Sequence, residues 1–397
     1  MPRQPKVASV VLAAAARIAL SMLLAAVAAT AASPARAASM DITPDRLYLE
    51  PPGLPAGTSC QSIAANPEQV LHPPFPAGAS PSQPQYACLP NNIAWANLMS
   101  ELGMALAPAM LRPARTTGYG GFELSFEATY THINADAVDS TGTQYWHQGT
   151  QGTVDPNTHA FSTQNRSPDS FIQVYALKAR KGLPFGFEIA GVLGYVANTS
   201  LWVGGGDVRW AVFEGFRSDA WKYVPDLSIG GAVRTVSGSS TFYLTTVALD
   251  AELSKPIPLA DSAVLTPYVG AQRVIIFADS ASVDLTPNVD PAAQCGPLGS
   301  NVPGNPNAQP PYDGSTICQN KLSNGSANNS DYNNDRTFNQ ARIHRWRGIV
   351  GVDYRYELID LGAEFAADLT DPSDENANLG ISGDRQWTIS LKTGVSF

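Results

Sequence analysis

The chain has 397 residues, 34 acidic against 25 basic, for a net charge of −9, and only 15% of its residues are charged. An acidic chain with no basic cluster is a poor partner for nucleic acid, whose phosphates are held by lysine and arginine. The length suits a single large β-domain with a small accessory segment.

At the N-terminus, Arg3 and Lys6 precede an apolar run from Ile18 to Ala32, and Ala35-Arg36-Ala37 is a small-x-small cleavage site. This pattern predicts a secretory signal peptide over residues 1–37, the competing reading being a retained anchor. The run is short for a transmembrane helix, and no cysteine stands at the cleavage point as a lipoprotein would need. Cleavage removes Arg3, Lys6, Arg17 and Arg36 and no acid, so the mature charge falls from −9 to −13. Beyond residue 37 no apolar stretch reaches the ~18 residues of a spanning helix. A membrane location would therefore have to be reached by strands.

Residues 38–117 read as a separate segment, rich in Pro, Gly and Ser from Pro51 to Pro84. Asp45–Glu50 is a candidate short strand. Apolar residues at Ile93, Leu98, Leu102 and Leu106 predict an amphipathic helix over about Ile93–Leu106, capped at Asn91 or Asn92 and ended by Pro108. Such a segment would plug the domain that follows or lie beneath it. Cys60, Cys88, Cys295 and Cys318 allow three pairings. Cys60–Cys88 and Cys295–Cys318 are favoured, because each pair brackets one Pro/Gly/Asn-rich stretch and export leads to an oxidising compartment. A zinc set competes with this reading but lacks a short C-x-x-C spacing. No metal and no cofactor is expected.

From Tyr119 the grammar changes to period-two alternation. Phe122, Leu124, Phe126, Ala128 and Tyr130 share one face, with Glu123, Ser125, Glu127 and Thr129 on the other. Further strands are predicted over Phe171–Arg180, with a register slip or bulge near Leu177, and over Phe187–Val196, Trp202–Phe213, Leu227–Val236, Tyr243–Leu253, Leu265–Phe277, Trp346–Tyr356, Leu361–Leu369 and Trp387–Phe397. Ten is an even number, as an up-and-down sheet closing on itself with both ends on one side requires. The three longest connections, 131–170, 278–345 and 370–386, fall on one side. The other side carries 181–186, 214–226, 254–264 and 357–360. Two of these are longer than ideal, which keeps twelve strands open. Aromatic residues group at two rims: Tyr119, Phe122, Phe187, Tyr223, Tyr354, Tyr356 and Phe397 at one, Tyr130, Tyr195, Trp202, Tyr243, Phe277, Trp346 and Trp387 at the other. A soluble β-domain also alternates, but it would place charge on its outward faces and edges.

The last eleven residues put Trp387, Ile389, Leu391, Thr393, Val395 and Phe397 on one face and end on an aromatic. This ending resembles the closing strand of bacterial outer-membrane β-barrel proteins. The resemblance implies an all-β fold: a single antiparallel up-and-down transmembrane barrel over residues 118–397, crossing the outer membrane many times. It also implies outer-membrane lipid as surroundings and recognition by the barrel-assembly machinery through the C-terminal strand, with Phe397 as its signal. Both the N-terminal segment and the C-terminus would be periplasmic.

In such a barrel the inward charges would be Glu123, Glu127, Glu188, Asp207, Arg209, Arg234, Asp250, Glu252, Arg345, Arg347, Asp353, Arg355, Glu364, Asp368 and Lys392. They would line either a network of ion pairs or a narrow or gated channel for small solutes. The alternatives are a display barrel whose loops 131–170 and 278–345 bind a partner, and a membrane-embedded hydrolase using His132 or His344. The omptin proteases resemble the chain in strand number only, and there is no Gly-x-Ser-x-Gly elbow. The oxygen-rich run Asn324–Asp335 is a candidate calcium loop but lacks the EF-hand pattern.

Overall fold

The computed structural model describes residues 39–50, 88–151, 165–214, 224–260, 263–285, 319–321, 327–329 and 335–397. The expected signal peptide, the Pro-rich stretch 51–84, Tyr223, Cys60, Cys295 and Cys318, and most of the candidate calcium loop lie outside these residues. Among the described residues, no helix is long and apolar enough to cross a membrane.

Ten strands form the wall: β1 (Phe122–His132), β2 (Phe171–Gly182), β3 (Phe187–Val196), β4 (Trp202–Phe213), β5 (Asp226–Ser237), β6 (Phe242–Ser254), β7 (Ala263–Ser280), β8 (Ala341–Tyr356), β9 (Ile359–Asp368) and β10 (Trp387–Ser396). Each pairs antiparallel with its neighbours in sequence, and β10 closes on β1 from Thr388 opposite Thr131 to Ser396 opposite Glu123. Closure leaves no row of unpaired peptide groups, which is what a strand wall in lipid requires. The twelve-strand alternative is thereby removed. A short strand, Ile257–Ala260, folds back onto the start of β7.

Alternation sets the faces. On β1, Phe122, Leu124 and Phe126 are exposed outside while Glu123, Ser125 and Glu127 are buried inside. Exposed apolar residues continue around the wall through Ile189, Val208, Ile229, Leu249, Val269, Val350, Phe365 and Ile389.

Several strand ends shift from the sequence reading, most of all β8, which begins at Ala341 rather than Trp346, and three further features differ. β2 keeps one register against β1 from Phe122 opposite Lys181 to His132 opposite Phe171, so there is no bulge at Leu177. Its inward positions are apolar at one end (Ile172, Val174) and cationic at the other (Lys178, Arg180), because the lumen itself changes character along its length; this hides the period. The irregularity in the wall lies instead between Ala211 and Phe213 on β4. Tyr119 precedes the first strand, in a turn where Gly118 and Gly120 hold φ of +79° and +83°, a region glycine enters without steric cost. The candidate strand Asp45–Glu50 contracts to Tyr48–Leu49, paired with Leu89–Pro90, after a turn of 3-10 helix at Pro44–Arg46.

Helix α1 spans Asn92–Ala105, and the Asn91 side chain caps it by accepting the Ala94 N–H at 3.0 Å. It packs against β1, β2, β6, β7 and β8. Every residue from Ala94 to Ala105 is buried, so the helix has no wet face and the expected amphipathic character is absent. Around it lie Ile172, Val196, Val203, Phe242, Leu244, Val274, Ile276 and Ile343, the inward residues at the long-loop end.

Candidate functional site: a lumen threaded by its own chain

Residues 39–50 sit at the long-loop end. The Met40 N–H donates to Asn198 O at 3.0 Å, the Thr43 N–H donates to Gly149 O at 2.8 Å, and Arg46 donates to Thr150 O at 2.9 Å. Phe397 is at the other end, its N–H on Phe122 O at 2.8 Å. Residues 39–50 and the C-terminus therefore lie at opposite ends of the barrel. This corrects the expectation that both ends of the mature chain share one side.

Between these ends the chain passes through the lumen. After α1, residues 108–117 run past side chains of the wall that bind the backbone directly. Pro108 O accepts from Arg347 and, at 3.3 Å, from Gln272. The N–H groups of Met110 and Leu111 donate to Glu364 at 3.3 and 2.7 Å. Pro113 O accepts from Arg209 at 3.0 Å, and the Ala114 N–H donates to Ser254 Oγ at 3.0 Å. Thr116 and Thr117 donate their N–H groups to Glu214 and Glu188, each at 2.9 Å. A buried peptide group needs a partner, and here no neighbouring strand supplies one.

Most of the remaining wall charges pair with each other. Asp207 lies between Lys178 at 2.7 Å and Arg234 at 2.5 Å. Arg180 pairs with Glu123 and, at 2.9 Å, with Glu127. Lys392 reaches Asp360 at 2.6 Å, Asp353 at 2.8 Å and Glu123 at 3.5 Å. Arg209 pairs with Glu252 at 2.9 Å. The threaded segment adds Arg112, paired with Glu188, and Arg115, which lies 3.4 Å from Asp226. Near α1, Arg345 holds Asp368, Gln386 and Ser100.

Of the fifteen charges expected in the lumen, twelve are buried there, and Asp207 and Asp250 face it half-buried. Asp250 lines a cavity of about 10 Å³ with Arg112, Lys178, Arg209 and Gln272. Arg355 is the exception. It has the inward parity of β8 but is exposed at the short-turn rim, donating to Glu357 O at 3.3 Å. Sequence reading missed Lys178, Arg180, Tyr268, Gln272 and Asp360 on the wall, although strand parity alone would have pointed Lys178 and Arg180 inward. It also missed Glu101, Arg112 and Arg115, which carry no periodic signal. A cavity of about 40 Å³ flanks Ala105–Ala109, room for a few waters.

His132 stacks on Trp387 with ring centroids 5.3 Å apart. His344 is held through its backbone by the Asn376 side chain, at 2.9 Å in both directions. Both rings face the outside of the wall. Cys88 is disulfide-bonded.

The aromatic rims stand on the outward face at both ends, as Phe122, Phe187, Tyr356 and Phe397 at one and Tyr130, Trp202, Tyr243 and Trp346 at the other. Apolar side chains fill the belt between them. The wall is that of an outer-membrane barrel.

No protein-family profile matches the chain, and no curated relative matches it in sequence. Structural comparison finds bacterial outer-membrane barrels. The attachment invasion locus protein Ail of Yersinia pestis is 8% identical, with a TM-score of 0.23, 70% of this chain and 99% of that one being covered. Neisserial surface protein A gives 11%, 0.22, 70% and 97%. The outer-membrane protein OprG of Pseudomonas aeruginosa gives 10%, 0.24, 72% and 99%.

Proposed function

We propose that this barrel is sealed by its own N-terminal segment and works from its long-loop end, presenting residues 39–50 and the adjoining loops to a partner. The supporting observation is that residues 92–117 occupy the lumen along its length, with the backbone of 108–117 tied to wall side chains. Withdrawing them would expose the apolar surface of α1 and strip partners from buried charges, both costly. Planar-bilayer recording of the full chain tests the reading. No steady conductance is expected, and a constant open current would overturn it. Trimming loops 131–170 and 278–345 should abolish partner binding while leaving assembly intact.

A gated channel for small solutes is the second reading. It is favoured by the polar grip on residues 108–117, since their departure would leave acidic and basic walls facing across a gap. Deleting residues 38–117 should then produce conductance; silence in that variant would count against it.

On either reading, residues 1–37 are the export signal, residues 38–117 the plug and residues 118–397 the barrel. Cys60–Cys88 and Cys295–Cys318 are the disulfides, and the strand ending in Phe397 is what the assembly machinery reads. The long-loop end faces outward, which brings residues 39–50 to the cell surface. No hydrolytic role is proposed.

A further inference from the structure

The outward face of the described wall strands is almost free of charge, and what charge it has gathers at one seam. Arg273 on β7 and Arg342 and His344 on β8 all point outward, Arg342 exposed and the other two half-buried. Elsewhere on that face the basic side chains are His132, and Lys181 at the short-turn rim. Register brings the three together: Arg273 is opposite Trp346, Ile275 opposite His344, and Phe277 opposite Arg342.

Both guanidinium groups lie over aromatic rings, Arg273 over Trp346 and Arg342 over Phe277, each 5.4 Å from the ring centroid. Neither arginine has a carboxylate within ion-pair distance among the described residues, and Arg273 Nε and His344 Nδ1 are buried without a partner. Asp279 lies farther along the outward face of β7, and Glu375, in the 370–386 connection, acts electrostatically on His344. Both lie on the loop side of the seam. Below it the wall is apolar through Val269, Ala271, Val350 and Val352.

An arginine on the lipid face of a barrel is costly at the bilayer midplane and nearly free at the interface. Arg273 stands at the level of Trp346 in the aromatic rim, where its stem can lie on apolar surface while its head reaches the polar layer. Planar guanidinium groups with free donors match phosphate oxygens. We propose that Arg273, Arg342 and His344 form a site on the outside of the barrel for the phosphate-bearing headgroup of a lipid in the leaflet at the long-loop end. An acyl chain of that lipid would lie along Val269, Ala271 and Val350.

This inference rests on the wall being embedded in lipid, and the test separates the two. Full-length protein is reconstituted in phosphatidylcholine vesicles containing a minor fraction of diphosphorylated lipid A, then re-extracted, and retained lipid is measured by native mass spectrometry. The wild type should keep the phosphorylated lipid. R273Q/R342Q should insert equally, shown by unchanged sheet content and gel mobility, yet retain about tenfold less lipid. R273K/R342K should retain an intermediate amount. Equal retention by wild type and R273Q/R342Q overturns the site, as does equal retention of dephosphorylated lipid A. Displacement of the lipid by inorganic phosphate at matching concentration would mean a site for the free anion and likewise overturn it. Failure of the wild type to enter vesicles would instead refute the membrane reading on which the site depends.

Discussion

Glu364 on β9 accepts the Leu111 N–H at 2.7 Å, joining the wall to the threaded segment where Leu111 adopts φ +47°. The same carboxylate takes the Met110 N–H at 3.3 Å and the Tyr268 hydroxyl at 3.0 Å. Replacing Glu364 with Ala strands three buried donors, each costing about 1–3 kcal/mol. The expected result is earlier thermal unfolding in detergent and faster proteolysis near Leu111. Glu364→Gln, which keeps one acceptor, should be milder. Identical melts for both variants and the wild type would contradict this role.

Gly351 on β8 leaves room for the Tyr268 ring, which occupies the space a Cβ would fill. Gly351→Ala must push Tyr268 away from Glu364, at an overpacking cost of about 1–3 kcal/mol. In a Tyr268→Ala background the same substitution should cost less than in the wild type. An equal cost in both backgrounds would show that the clash is not with Tyr268.

Lys178 is the cation between Asp207 at 2.7 Å and Glu127 at 3.7 Å. Lys178→Met leaves a buried carboxylate short of a partner, a change that costs about 3–5 kcal/mol in buried networks. Guanidinium unfolding in detergent should show a midpoint shift of that order. Adding Asp207→Asn should restore stability towards the wild type.

Glu101 on α1 accepts from Tyr145 at 2.6 Å and from Trp146 at 2.7 Å. Glu101→Gln keeps one acceptor and gives up the other, stranding one of these two buried donors at a cost of about 1–3 kcal/mol. Thermal melts of wild type and variant in detergent should separate by that order, and identical melts would dismiss the role.

Trp95, fully buried on α1, stacks on Phe338 with centroids 5.0 Å apart and meets Phe242 edge-on at 6.2 Å. Trp95→Ala should cost about 3–5 kcal/mol and loosen α1 before the wall. Protease cleavage within residues 92–117 that precedes loss of the sheet signal would show this; simultaneous loss would argue that plug and wall unfold together.

The wall strands were legible because alternation is local. Phe122 through Tyr130, or Trp387 through Phe397, need only their own side chains to declare which face meets lipid. Helix α1 was legible for a similar reason, through the Asn91 cap, the run of good helix formers and the stop at Pro108. Where the inward side changes from Ile172 and Val174 to Lys178 and Arg180 along β2, the pattern blurred and suggested a bulge that is absent. Arg355 shows the converse limit, because parity gives a direction but not a depth.

Residue order alone decided where ten wall strands lie, their handover from one end of the barrel to the other, and the helix that precedes them, while the closure of β10 on β1 removed the twelve-strand alternative. Only the tertiary structure decided that this helix lies inside, that residues 39–50 emerge at the end opposite Phe397, and that Arg112 meets Glu188. The physical reason is that residues 108–117 form neither helix nor strand. Their hydrogen bonds go to side chains distant in sequence, such as Glu364 and Arg209, and those partners converge only once the barrel has closed.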